Sequence, residues 1–308
     1  MAPGAGARFS VVIPAYNAAS FLAATLDSVR AQTFTDYEVI VVDDGSKDGT
    51  HRAAADYLSR HGLKGQAILQ ENKRIAGARN TGMRAARGEF IALLDHDDFW
   101  HPEKLSLVAR EFDLHPGTGL VGHHIAVTKD GKPVRVIRKG PAVSAMYESL
   151  LLEGNAVSPS AAVFRRDKAL EIGGFREGPE YFTIEDYDFW MRLSKVAPFR
   201  FIDRVLSEYP LAETSASARV GFHHELLEKL LRRHFQEHFG PQPGLMDRLR
   251  MKRRIAAVYR SALGQLLETK GSPAEAREYA LKMMAEFPLS PKNLVRLGQW
   301  GLSRVLPL

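Results

Sequence analysis

Apolar residues in the first hundred positions come in short unbroken blocks, and each block stops abruptly at polar residues. Phe9-Ser10-Val11-Val12-Ile13, Val39-Ile40-Val41-Val42 and Phe90-Ile91-Ala92-Leu93-Leu94 lack the alternation of a half-solvated strand. They read as strands covered on both faces, as in a parallel sheet. Gln66 to Leu69 is a weaker strand. Between these blocks apolar positions recur at helical spacing. This predicts a helix over 21–32 capped by Ser20, one over 52–61, and one opened by the segment 72–82 and ending near Ala86. Pro14, which has no N–H for a sheet ladder, is expected to end the first strand.

The polar ends carry the candidate chemistry. The first strand leads into Pro14-Ala15-Tyr16-Asn17, the second into Asp43-Asp44-Gly45-Ser46, and the strand at 90–94 into Asp95-His96-Asp97-Asp98. In open α/β sheets that edge is where ligands bind, because the loops leaving the strands open a crevice there. If extended geometry persists, Asp95 and Asp97 point to one side and Asp98 to the other. Neighbouring carboxylates repel unless a proton or cation joins them, and hard oxygen ligands suit Mg²⁺ or Mn²⁺. A plain turn before a helix start at His101-Pro102 accounts for the same acids equally well. Arg79, early in its helix, would either neutralise a diphosphate or pair with one of these acids. No phosphate-loop or Gly-x-Gly-x-x-Gly pattern follows a strand, so neither a nucleotide hydrolase nor a dinucleotide dehydrogenase is supported.

Further along, a helix is expected over 102–114, a strand over 119–127 and a hairpin return through Asp130-Gly131 into 134–137. A helix over 144–153 and apolar Ala161 to Phe164 follow. His123 and His124, adjacent on a strand, face opposite ways with no third ligand spaced nearby, which favours a structural role over a metal site. Gly173-Gly174-Phe175 precedes a helix over 184–193 with Phe189, Trp190 and Leu193 on its apolar face. Its first turn holds Glu185 and Asp186, where the helix dipole alone would favour acids.

Four of these segments together resemble the inverting glycosyltransferases of family 2. They are Val11 to Asn17, Val41-Val42-Asp43-Asp44-Gly45-Ser46 through Thr50, Ala78-Arg79-Asn80-Thr81-Gly82, and Leu94-Asp95-His96-Asp97-Asp98. The resemblance implies a GT-A fold, a mostly parallel sheet flanked by helices. It also implies transfer of a sugar from a nucleotide-diphosphate donor, UDP- or another NDP-sugar, to a glycan or lipid-linked acceptor hydroxyl, with inversion and a divalent cation. By the same resemblance Pro14, Tyr16, Asp44, Arg79 and Asp95 line the donor site, Asp97 meets the metal, and Asp186 is the catalytic base. The family strand often ends Tyr-Arg-x-His, whereas here Tyr209-Pro210-Leu211-Ala212-Glu213 puts Ala212 in place of the His. That departure keeps open a nucleotide-sugar-binding protein with impaired catalysis. A phosphatase with an Asp-x-Asp nucleophile is disfavoured, since bulky Phe99-Trp100 follows the acids.

The resemblance ends near residue 215, and charge divides the chain at about the same place. From Arg219 onward there are 16 Lys+Arg against 8 Asp+Glu, while residues 1–218 carry 26 against 28. The expected organisation is therefore a catalytic domain over 1–218 and a basic helical C-terminal extension over 219–308. A solvated helix face is the common use of such cations, but an anionic membrane could also meet them. The last segment, Leu294 to Leu306, mixes Leu, Trp and Arg as interfacial helices do, although packing on the catalytic domain would bury the same face. There is no cysteine, and the first apolar run is too short for a signal peptide. The expected setting is the cytoplasm, with contact at the inner face of the plasma membrane, in surface polysaccharide or glycolipid assembly, and nucleic acid is not an expected partner.

Overall fold

A computed structural model of the chain describes residues 7–211, 220–269, 271–288 and 290–305. The chain forms two compact units, one of residues 7–150, 155–179 and 185–211, the other of 151–154, 180–184 and 220–305.

The first unit begins with β1 (Phe9–Ala15), α1 (Leu22–Arg30), β2 (Tyr37–Asp43), α2 (Thr50–Arg60), β3 (Gly65–Leu69), α3 (Arg74–Ala85) and β4 (Phe90–Leu93). These strands are parallel in the order β3-β2-β1-β4. Every residue of β1 and β4 is buried, the physical counterpart of their unbroken apolar runs. Helix α3 lies hard against β1, where a Cβ added to Gly82 would stand 2.3 Å from Val12 Cγ1. Pro14 does not end β1, which runs on to Ala15 beside β2. The last β1–β4 partners are Val12 and Leu93, so the missing N–H of Pro14 costs that side no ladder bond. Ser20 does not cap α1; the first turn closes instead on the Ala18 carbonyl, which accepts from the Phe21 and Leu22 amides.

The unit continues with β5 (Phe99–Trp100), α4 (Lys104–Leu114), β6 (Leu120–Lys129), β7 (Lys132–Ile137), α5 (Met146–Leu152), β8 (Val163–Arg165), α6 (Arg166–Glu171), α7 (Glu185–Leu193) and β9 (Phe199–Pro210). The sheet extends past β4 as β8-β6-β9-β5, with β8 antiparallel to both neighbours and β6 parallel to β9. Asp130 and Gly131 have φ of 51° and 71°, the two left-handed positions of a tight hairpin, and join β6 to β7.

The second unit contains α8 (Val220–Phe239), α9 (Leu245–Glu268), α10 (Pro273–Glu286) and α11 (Pro291–Val305). Helix α9 packs against the other three through a core that includes Leu231, Ile255, Leu263 and Met283. Ser272 caps α10 by accepting from the Glu275 amide, with Pro273 at the first helical position. Among the described residues no helix is long and apolar enough to cross a membrane.

Candidate active site

The exits of β1, β2 and β4 are bonded to one another. The Asp44 amide donates to Ala15 O at 2.9 Å, and the His96 ring, through Nδ1, meets Pro14 O at 3.0 Å. Asp44 Oδ1 accepts from Gln70 Nε2 at 2.6 Å and from the Lys73 amide at 2.8 Å, and no bond engages Oδ2 among the described residues. Gly45 adopts φ of +80° against the Asn72 backbone, which lets the turn close this tightly. Tyr16 is 47% exposed. The expected donor-side residues Pro14, Tyr16 and Asp44 thus share one sheet edge with the acid cluster.

That cluster is not an extended strand end. The Asp98 amide donates to Asp95 O at 3.1 Å, so the chain turns through 95–98, and the expected strand alternation of these acids does not apply. Asp95 is held at both ends: its amide donates to Ser160 Oγ at 3.0 Å and its Oδ1 accepts from Arg79 at 2.9 Å. Asp97 is exposed, and its carboxyl pKa is raised by partial desolvation, with His96 pulling it down and Asp95 pushing it up. Asp98 is buried and its pKa stands well above the usual carboxylate range, first through burial and then through Asp95.

Beneath Asp98 lies Lys104, fully buried, its amine held well below its ordinary pKa by that burial. The ammonium position is 3.5 Å from the centroid of the Trp100 ring. It donates to Ser160 O at 2.8 Å, and Trp100 Nε1 and Ser207 Oγ donate to the same carbonyl at 2.9 Å each. The sequence offered no sign of this hub, because a backbone oxygen has no residue type.

Arg79 is 1% exposed and bridges two carboxylates, Asp95 Oδ1 and Glu185 Oε1, at 2.9 Å each. Both terminal nitrogens of this guanidinium thus pair with acids, and the expected contact with a donor diphosphate would have to form beside these pairs. Its two terminal nitrogens are turned inward by the acids on either side, which was the other outcome the sequence allowed. Glu185, an acid that the helix dipole alone would explain, is the second anchor. Burial pushes its pKa up to about 7, with Arg79 pulling it down and Asp186 pushing it up.

Asp186, the second residue of α7, lies beside this bridge and remains partly open. Its pKa is raised by burial, against the pull of Arg79 and Lys139, and its Oδ1 accepts from the Tyr187 amide at 2.7 Å. Helix α7 is fixed by aromatic stacking of Phe189 on Phe175 at 4.1 Å and by the Tyr187 hydroxyl donating to Leu150 O. Asn80, next to Arg79, grips Phe175 by both backbone atoms: Nδ2 to its O at 2.7 Å and Oδ1 from its N at 2.8 Å. The same Oδ1 would lie 2.6 Å from a Cβ on Gly174, whose φ is +72°. The Gly-Gly-Phe segment and the Arg79-Asn80 pair are thus two halves of one clasp.

Behind Asp186, the Lys139 amide donates to His124 Nδ1 at 3.1 Å, and His124 Nε2 meets Asp203 Oδ1 at 2.8 Å. His123 is buried, with Nδ1 at 2.9 Å from His124 O. Tyr209, near the end of β9, has its hydroxyl pKa raised by burial and then by Asp97, Asp98 and Asp95. Ala212 and Glu213 lie outside the described residues.

Among the described residues no group of three or more His, Asp or Glu side chains converges on one point to hold a metal. A cation here would take part of its shell from a bound ligand. The groups present suit that: Asp97 and Asp95 offer hard oxygens, and Asp98 Oδ1 is buried without a partner.

Residues 10–173 match the model of glycosyl transferase family 2. The chain is 33% identical over 225 residues to the amylovoran biosynthesis glycosyltransferase AmsB of Erwinia amylovora, covering 70% of this chain and 72% of that protein. It is 30% identical over 197 residues to the chondroitin synthase of Escherichia coli, of which it spans only 28%. Among solved structures, TarS 1-349 of S. aureus in complex with UDP superposes with a TM-score of 0.65 at 20% identity, covering 91% of this chain and 81% of that one. The mannosyltransferase PcManGT of Pyrobaculum calidifontis, in complex with GDP-Man and Mn²⁺, gives 0.61 at 18% identity, covering 99% and 83%. The architecture is that of the GT-A fold, and the chain belongs to glycosyl transferase family 2.

Proposed function

We propose that the chain transfers a sugar from a nucleotide-diphosphate donor to an acceptor hydroxyl, with inversion, in the assembly of a cell-surface polysaccharide or glycolipid. The observation that carries this reading is Asp186: a partly open carboxylate with raised pKa, coupled through Glu185 and Arg79 to the Asp95 turn. Tyr16 offers a face on which a base can stack, and Asp44 Oδ2 accepts from a base N–H. Asp95 faces the ribose and diphosphate. Asp97, with Asp95 beside it, would hold a divalent cation, whose chemistry is to neutralise charge on the leaving diphosphate. Asp186 takes the proton from the acceptor hydroxyl. That oxygen bonds to the anomeric carbon as the bond to the diphosphate oxygen breaks on the opposite face, so a single displacement inverts the centre. A carboxylate with a pKa above the ordinary range is the better base for this step.

The GT-A relatives with bound UDP and GDP-Man support the donor class, and AmsB supports the polysaccharide setting. We assign the chemistry to 1–218 and a role in location at the inner membrane face to 219–308. The test is Asp186→Asn. The amide keeps the size of the carboxylate and cannot take a proton, so turnover should fall by ~10²–10⁴ with nucleotide affinity nearly unchanged. If Asp186→Asn keeps its turnover while Glu185→Gln loses it, the base is on the wrong residue.

A further inference from the structure

The second unit carries a basic groove that the transfer chemistry does not use. On α9, Arg250, Arg253, Ala257 and Arg260 recur at three- and four-residue spacing and so share one face. With Arg254 and Lys292 they line a cleft of about 670 Å³, in which Glu153 is the one acid among the described lining residues. An adjoining cleft of about 380 Å³ shares Arg260 and Lys292 and adds Arg296.

Two facts separate this groove from an ordinary solvated helix face. The cations are held together by built structure: Arg260 donates to Asn293 Oδ1 at 2.7 Å, and Asn293, fully buried, donates to Phe287 O at 2.8 Å. The start of α11 is thereby pinned on α9, and Arg296 lies 3.0 Å from where a Cβ on Gly264 would stand. Arg250 pairs with Asp247, but no ion pair engages Arg253, Arg260, Lys292 or Arg296 among the described residues, so the charge of these four is not balanced from within. The Arg260 pKa is accordingly lowered, by burial and then by Arg296, Arg253 and Arg254. Like charges crowded at a concave surface are relieved by a bound anion, and guanidinium forks match the oxygens of a phosphate.

We propose that this groove binds a phosphate-bearing anion, either a phospholipid headgroup or a soluble diphosphate. Exposed Leu294 and Val295, beside Lys292 and Arg296 on α11, would be covered in the lipid case.

The test uses the full chain in chelator, so that no cation lets a diphosphate bind at the acid turn. Inorganic pyrophosphate is titrated by calorimetry, and phosphatidylcholine vesicles with and without phosphatidylglycerol are co-sedimented. The variant R253Q/K292Q changes two exposed residues of the groove. The charge-matched control R248Q/K252Q changes two exposed residues of α9 off the groove stripe. Binding of at least one probe should weaken by about tenfold or more in R253Q/K292Q and stay within about threefold in the control. Loss with pyrophosphate marks a soluble ligand and loss with anionic vesicles a lipid one. Binding of neither probe by the unaltered chain, or an equal loss in the control, overturns the proposal.

Discussion

Replacing Arg79 by Met keeps the length of the side chain and removes the charge shared by Asp95 and Glu185. Asp95 is partly open and can hydrate, so the effect falls on buried Glu185 and on its neighbour Asp186, whose pKa Arg79 also pulls down. In the unaltered protein Glu185 has a folded pKa of about 7, against ~4.3 when unfolded. A folded pKa raised in this way stabilises the fold fully below the unfolded value, and the contribution is lost as pH rises through the folded one. Between pH 6 and pH 8 that loss integrates to ~1.4 kcal/mol. Without Arg79 the guanidinium no longer pulls the pKa down, so Glu185 holds its proton to higher pH, at the upper limit across the whole window. The unfolded chain has released it, so at that limit stability falls by ~1.36 kcal/mol per pH unit, or ~2.7 kcal/mol from pH 6 to pH 8. Urea unfolding followed by tryptophan fluorescence in a Trp300→Phe background reads the first unit alone, through Trp100 and Trp190. The double variant R79M/E185Q should lose the Glu185 share of the extra slope, leaving only what Asp186 contributes. Parallel pH profiles for R79M and R79M/E185Q would refute the reasoning.

Uridine diphosphate should bind measurably by calorimetry with Mn²⁺ and far more weakly in chelator, because an unshielded diphosphate meets Asp95, Asp97 and Asp98 together; equal affinity in both would remove Asp97 from metal binding. Gly82→Ala should destabilise the first unit by ~1–3 kcal/mol, since the new methyl meets Val12 Cγ1 at 2.3 Å, and Val12→Ala in the same chain should recover part of the loss. No recovery in the urea midpoint would mean that α3 and β1 adjust independently.

The parallel half of the sheet was legible because β1, β2 and β4 are covered on both faces, and their unbroken apolar runs end where the crevice opens. Pro14, Tyr16, Asp44, Asp95 and Asp97 could be assigned to one edge for the same reason. The antiparallel switch at β8 was not legible, since three residues carry no periodicity. The pairing of Arg79 with Glu185 spans 106 positions, and local pattern could only say that an acid partner was one possibility. For the 95–98 acids the sequence left strand alternation and a turn equally open, and the backbone bond from Asp98 to Asp95 decides for the turn. Asn80 looks like an ordinary helix residue until Phe175 arrives from the far end of the unit.

The Ser160 carbonyl has a consequence for how this site tolerates change. Three side chains from separate segments, Trp100, Lys104 and Ser207, donate to an oxygen that every amino acid possesses. Substitution at 160 cannot delete that acceptor; Ser160→Ala would remove the hydroxyl that receives the Asp95 amide and that hydrogen-bonds the Asp98 side chain. Heritable control over the floor of the acid turn therefore resides in its donors. A mutational scan would find position 160 forgiving for small residues and positions 100 and 104 strict, so that the point where the segments meet leaves its trace only at its neighbours.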